Sequence, residues 1–262
     1  MTKVALVILD GFGLRKENEY NAVNNAKVPY FKRIFKKYSH TKIKTKGNYV
    51  GLNKGQFGNS EVGHLNLGSG RIVKQNSMKI TESIENGTFY QNKILTKLIL
   101  KLKKQNANLH LMGLCSSGGV HSDITHLYAL LKLCSNLDFK NVYIHFITDG
   151  RDTNVKSGVN FYKELQKQIK KYKVGKVVSV VGRFYAMDRE KNYDRTKQFY
   201  NVLNNYDAEN KFDDLKNCFD YYYNNDITDE YLKPSILLDG DYSVKKNDAI
   251  LCFNFRSSFQ RR

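Results

Sequence analysis

Short apolar runs, each too brief for a buried helix, recur along the chain with helical periodicity between them. That alternation restricts the fold more than any other property of the sequence. The runs are Val4 to Leu9, Leu109 to Leu114, Val142 to Ile147, Val177 to Val181 and Ala249 to Phe253. Between most of them, Pro29 to Tyr38, Asn92 to Lys104, Ile124 to Cys134 and Gly158 to Tyr172 place Leu, Ile, Tyr and Phe at three- and four-residue steps, the spacing of one helix face. Strand alternating with helix predicts an α/β fold with a mainly parallel sheet. Val4 to Leu9 reads as a buried parallel strand whose carboxyl end opens into the turn Asp10-Gly11-Phe12-Gly13.

In such sheets ligands gather at the carboxyl ends of the strands, and the residues there are polar. Asp10 follows the first run, Ser116 to His121 the second, Thr148 to Asp152 the third, Arg183 the fourth and Asn254-Phe255-Arg256 the fifth. Turn formation accounts for Gly, Ser and Asp at such places. It does not account for an Arg or His at almost every strand end.

A length of 262 residues allows one large domain or two smaller ones. The stretch through about Asn76 has its own strand and a Gly-rich loop, and a longer α/β series begins after it, so residues 1–76 and 77–262 are read as separate units. The net charge of +18 favours anionic partners, whether phosphorylated metabolites, nucleic acid or an acidic membrane face. The lysines are spread among Asn and Tyr along the whole chain, which is a solvated surface sooner than a nucleic-acid patch. The four cysteines lie far apart with no C-x-x-C pair, so neither a disulfide framework nor a cysteine zinc site is expected, and a reducing compartment fits. Val4 to Leu9 is too short for a signal-peptide core or a membrane span. A soluble, cytoplasmic protein without a membrane partner is the expectation.

Gly55 to Arg71 reads G-Q-F-G-N-S-E-V-G-H-L-N-L-G-S-G-R. Its glycines let the backbone turn around an anion, and Asn59 and Ser60 stand where a helix opens with free amides. A serine hydroxyl is a poor nucleophile at neutral pH and needs a base or a metal ion to lower its pKa. Asp10 is a suitable hard-oxygen ligand for such an ion. By residue type alone, Ser60 is a helix cap sooner than a nucleophile, and Asp10 a turn former.

V-I-L-D-G-F-G at the start and G-N-S-E-V-G-H around Ser60 resemble the N-terminal signatures of the cofactor-independent phosphoglycerate mutases, within the alkaline-phosphatase-like superfamily. G-G-V-H-S at Gly118 to Ser122, T-D-G-R-D at Thr148 to Asp152 and G-R-F-Y-A-M-D-R at Gly182 to Arg189 resemble the same family in its order and spacing. The resemblance implies an incomplete alkaline-phosphatase-like domain over 1–76, followed by an α/β transferase domain over 77–262. It implies interconversion of 3-phosphoglycerate and 2-phosphoglycerate in glycolysis, with Ser60 transiently phosphorylated and, with Asp10, binding one of two Mn²⁺ ions. It assigns His121, Arg151, Asp152, Arg183, Arg189 and Arg256 to the substrate, with Asp152 and His121 steering protons at its hydroxyls. Arginine forks pair bidentately with carboxylate and phosphate, which suits a multiply anionic three-carbon substrate. His64 and His126 are read as supporting residues, and His40, His110 and His145 as packing or surface residues.

The sequence departs from the family in two respects. N-F-R-S-S-F places Phe259 where the family carries a further arginine, a role that Arg261 or Arg262 would have to fill. The family's second half, with a lysine that aids phosphoryl transfer and the Asp and His ligands that complete both metal sites, has no counterpart here. A Ser and an Asp are too few to hold a transition-metal ion tightly, so a weak or absent metal site and uncovered apolar strand edges are expected. The alternatives to a working mutase are a non-catalytic phosphometabolite-binding remnant, or one half of a split enzyme completed by a second chain.

Overall fold

The computed structural model describes residues 3–256. The chain divides into two compact units, Met1–Gln75 and Asn76–Arg262. The positions Phe259, Arg261 and Arg262 lie outside the described residues.

In the first unit, Asn21 caps the short helix α1 (Ala22–Asn25), and Pro29 begins α2 (Pro29–Lys37), where its missing N–H would have had no intrahelical partner. Asn59 caps α3 (Ser60–Ser69), its side-chain oxygen accepting from the Val62 N–H at 3.0 Å. Asn66 then ties the helix to its surroundings, donating to Val50 O at 3.0 Å and accepting from the Val73 N–H at 2.8 Å. There is no β-strand among the described residues of this unit. The run expected as a buried strand is instead exposed, Val4 at 90 % and Val7 at 78 %. A strand needs neighbours to pair its N–H and C=O groups and to cover its faces, and composition alone supplies neither.

The second unit is a three-layer α/β fold around one sheet. Its strands are β1 (Leu109–Leu114), β2 (Val142–Thr148), β3 (Lys176–Gly182), β4 (Asn210–Phe212), β5 (Ser235–Leu237) and β6 (Ala249–Cys252). The order is β4-β5-β3-β2-β1-β6, parallel throughout except for the β3–β5 pair. The expected α/β class with a mainly parallel sheet is therefore what is found. β4 and β5, of three residues each, carry too little pattern to be seen in the sequence. The helices are α4 (Asn76–Glu85), α5 (Lys93–Gln105), α6 (Ile124–Asn136), α7 (Gly158–Tyr172), the single turn α8 (Arg183–Ala186), α9 (Tyr193–Asn205) and α10 (Leu215–Asn224).

Strand residues alternate between the two faces. Leu109, Leu111, Val142, Ile144 and Phe146 meet α5, α6, α7 and α10 through Ile99, Leu127, Leu131, Leu165 and Phe219. Leu114, Ile147, Val178 and Val181 turn to the other face and pack on Met187, Phe199 and Val202. A bulge between Ile144 and His145 shifts β3 by one residue and sets Ser179 against His145. On this second face a buried polar chain crosses the strands: Asp248 Oδ2 lies 3.3 Å from His110 Nε2, His110 Nδ1 lies 3.0 Å from His145 Nε2, and His145 Nδ1 lies 2.8 Å from Ser179 Oγ.

Because β1, β2, β3 and β6 are parallel, their carboxyl ends share one edge of the sheet. The loops carrying Ser116 to His121, Asp149 to Asp152, Arg183 and Asn254 to Arg256 all leave from that edge. No helix among the described residues is long and apolar enough to cross a membrane.

Candidate active site

In the first unit, Asn59 takes the capping position, so Ser60 begins α3 with its hydroxyl available for other contacts. Ser60 Oγ donates to Asp10 Oδ2 at 2.6 Å, across a separation of fifty residues in the chain. His64, one helical turn on, places Nδ1 3.2 Å from Ser60 Oγ and 2.8 Å from Ser60 O. The helix opening thus gathers a hydroxyl, a carboxylate and an imidazole in a region of positive backbone potential. Asp10 and Ser60 are hard oxygen donors and fit a divalent cation as part of a ligand set. They do not make a whole one: no group of three or more His, Cys, Asp or Glu able to hold a metal ion occurs among the described residues.

In the second unit the centre is Arg183, only 6 % exposed at the end of β3. Its Nη1 donates to Asp149 Oδ1 and to Asp152 Oδ2, each at 2.7 Å. His121 Nε2 lies 3.6 Å from Asp152 Oδ2. Arg256 joins through the backbone, where the Phe255 and Arg256 N–H groups donate to His121 O at 2.9 and 3.4 Å. Two of the loops touch at Gly118, where a Cβ would stand 2.8 Å from Asp152 Cβ. Arg151 is exposed, 3.7 Å from Glu230 Oε1. Arg189 is exposed on the loop after α8, a loop shaped by Asp188, which accepts from the Glu190 and Asn192 N–H groups at 3.1 and 2.9 Å.

The electrostatics follow from burial and pairing. Burial, reinforced by the charges of Arg183 and Arg256 and only partly countered by Asp152 and Asp149, pushes His121 down to about 4, so its imidazole is neutral at physiological pH. Burial works against the Asp149 carboxylate, but the Ser116 hydroxyl, the Asp152 amide and Arg183 outweigh it and hold its pKa below the usual carboxylate range. Arg183 is likewise penalised by burial, and its bonds to Asp152 and Asp149 still raise it above its ordinary value.

Sequence reasoning did not single out Asp149, Ser116 or the segment around Asp229. Thr148 Oγ1 donates to Asp229 O at 2.6 Å and the Gly182 N–H to Leu232 O at 2.7 Å, so this segment holds the ends of β2 and β3 together. Gly150 adopts φ +67°, and a Cβ there would stand 2.8 Å from Glu230 N, so only glycine fits the turn. Asp149 lies inside a motif noticed in the sequence, yet no spacing rule separates its role from that of Asp152.

The sequence profile described as BPG-independent PGAM N-terminus matches residues 80–262. The chain belongs to this family. It is similar to the 2,3-bisphosphoglycerate-independent phosphoglycerate mutase of Staphylococcus saprophyticus, 43 % identical over 252 residues, covering 96 % of this chain and 50 % of that protein. The protein of the same name from Microcystis aeruginosa is 42 % identical over 262 residues, covering 100 % of this chain and 49 % of the relative. Among solved structures, Leishmania mexicana phosphoglycerate mutase, crystallised at low cobalt concentration, matches with a TM-score of 0.81 and 30 % identity, covering 95 % of this chain and 48 % of that one. The chain therefore spans about half the length of the relatives it matches. The family is metal-dependent.

Proposed function

We propose that this chain carries the serine centre and the substrate-binding unit of an enzyme that interconverts 3-phosphoglycerate and 2-phosphoglycerate in the cytoplasm, as a step of glycolysis. The observation that carries the reading is the buried Arg183, paired with Asp152 and flanked by His121 and Arg256 at the shared edge of the sheet. A fixed guanidinium beside a neutral imidazole and a carboxylate is a receptor for an anionic, hydroxyl-bearing small molecule. Residues 1–76 then belong to the phosphatase-like metal-binding domain and 77–262 to the transferase domain.

On this reading Ser60 Oγ attacks the phosphorus of 3-phosphoglycerate. The P–O3 bond breaks, a P–Oγ bond forms, and the serine proton passes to the departing O3. Glycerate reorients. Its O2 then takes the phosphoryl group, and the O2 proton returns to Ser60 as the P–Oγ bond breaks. Asp10, which accepts the hydrogen bond of the Ser60 hydroxyl, orients Ser60. Mn²⁺ is the ion assigned to Asp10 and Ser60, and when bound it lowers the hydroxyl pKa and offsets phosphoryl charge. Arg151, Arg183, Arg189 and Arg256 hold the phosphate and carboxylate. Asp152 and His121 orient the substrate hydroxyls and move protons at O2 and O3.

The test measures binding of 3-phosphoglycerate to the chain and its conversion to 2-phosphoglycerate with Mn²⁺ and without 2,3-bisphosphoglycerate. Ser60→Ala abolishes turnover and leaves binding intact. Undiminished turnover in that variant overturns the phosphoserine route. The partial ligand set at Asp10 and Ser60 favours a second reading, in which this stretch binds phosphoglycerate without turning it over. Binding with no turnover and no Mn²⁺ dependence supports it, and turnover then appears only when the remaining ligands are supplied.

A further inference from the structure

We propose that Asp149, held by Ser116, is the positioning residue that fixes how Arg183 presents its guanidinium and how the Arg151–Asp152 turn is shaped. The inference rests on reading the Arg183 cluster as a phosphoglycerate site.

Asp149 is 2 % exposed and Ser116 is fully buried. Asp149 Oδ1 accepts from Arg183 Nη1 at 2.7 Å, from the Asp152 N–H at 2.9 Å and from the Arg151 N–H at 3.2 Å. Its Oδ2 accepts from Ser116 Oγ at 2.6 Å. One carboxylate therefore ties together the loop after β1, the loop after β2 and the arginine at the end of β3. A Cβ on Gly118 would fall 3.3 Å from Asp149 Oδ2, so the first loop also closes over it.

The two carboxylates on Arg183 differ in kind. The Asp149 side chain is 1 % exposed and bonded on both oxygens, whereas the Asp152 side chain is 20 % exposed. An arriving anion competes with Asp152 for the guanidinium and leaves Asp149 in place. Asp149 thus acts through Arg183 rather than on the substrate. Its charge and its geometry pull in opposite directions: the charge repels an anion, while the geometry aims the group that attracts it. Removing a carboxylate that mattered only as charge strengthens anion binding. Removing one that orients Arg183 weakens it.

The test is calorimetric titration of the full chain with 3-phosphoglycerate, with circular dichroism to confirm folding. Asp149→Asn is expected to weaken binding roughly tenfold or more and Ser116→Ala about threefold, the loss of oriented bonds around a charged group. In an Arg183→Lys background, which lacks the planar fork, Asp149→Asn should cost less than about twofold further, because both changes act through one guanidinium. A purely structural role would instead add its full loss in that background. Equal or tighter binding by Asp149→Asn, or an additive loss with Arg183→Lys, overturns the inference while leaving the phosphoglycerate reading standing. If Asp149→Asn does not fold, Ser116→Ala decides, since it keeps the ion pair, and unchanged affinity there overturns the anchor. A wild-type chain that binds no phosphoglycerate overturns the reading itself, and the inference with it.

Discussion

Val4 to Leu9 and β2 are both short, mainly apolar runs rich in β-branched residues that end in a turn with Asp and Gly, yet they meet opposite fates. Val142 to Thr148 is paired on both sides and buried at nearly every position. Val4 to Leu9 pairs with no strand among the described residues and is exposed, Leu6 at 76 %. Apolar, β-branched composition makes a segment able to be a strand, and neighbours make it one. The same contrast holds for the two chemical centres. Asp10 and Ser60 are exposed residues meeting at the opening of one helix, while Arg183 is buried and held by Asp149 and Asp152 from the loop after β2.

The sharpest way to break this contrast is to truncate one side chain in each run. Phe146→Ala, in the buried strand, should destabilise the second unit by about 3–5 kcal/mol, whereas Leu6→Ala, in the exposed one, should change stability by less than about 0.5 kcal/mol. Urea unfolding of both variants measures the difference, and a comparable loss at Leu6 would mean that the first run is buried after all.

A smaller effect comes from pH and belongs to the second unit alone. Burial, with a minor contribution from His110, pushes His145 down to about 3, and burial with neighbouring charge pushes His121 to about 4. Both are depressed relative to the unfolded chain, so the folded state binds fewer protons. The stability they contribute is fully present above about pH 6.5 and is lost as pH falls through the folded values. Between pH 7 and pH 5 the unfolding free energy obtained from urea titration should fall, by on the order of 2 kcal/mol for His145 alone. A flat profile would show that the His110–His145–Ser179 chain accommodates a proton.

The smallest effect lies in the first unit. Asn59→Ala removes the cap of α3 and should cost about 1 kcal/mol of local stability. Faster amide exchange confined to the first turn, at Ser60 to Gly63, is the expected readout. A change of that size spreading into the second unit would show that the two units share stability.

Much of this was legible in the sequence. The four apolar runs from Leu109 onward became β1, β2, β3 and β6 within a residue or so at each end, and Gly158 to Tyr172 became α7 with the same bounds, because long periodic segments are set by local pattern. The motif residues are distributed by structure more unevenly than by sequence. His121, Asp152, Arg183 and Arg256 come together, whereas Arg151 lies against Glu230 and Arg189 is exposed. His110 and His145, read only as packing or surface residues, form a hydrogen-bonded pair in the core, and His64 stands against the Ser60 hydroxyl.

By itself the sequence determined the α/β class, the strand and helix periods, and the arrival of Asp, Arg and His at the strand ends, since these follow from residue type and spacing along one chain. Which carboxylate anchors Arg183 and which stays accessible, and whether an apolar run lies in a sheet or in the open, are settled by packing in three dimensions. Those outcomes depend on neighbours remote in the chain, whose approach supplies the hydrogen-bond partners, the exclusion of water and the local charge that no local pattern encodes.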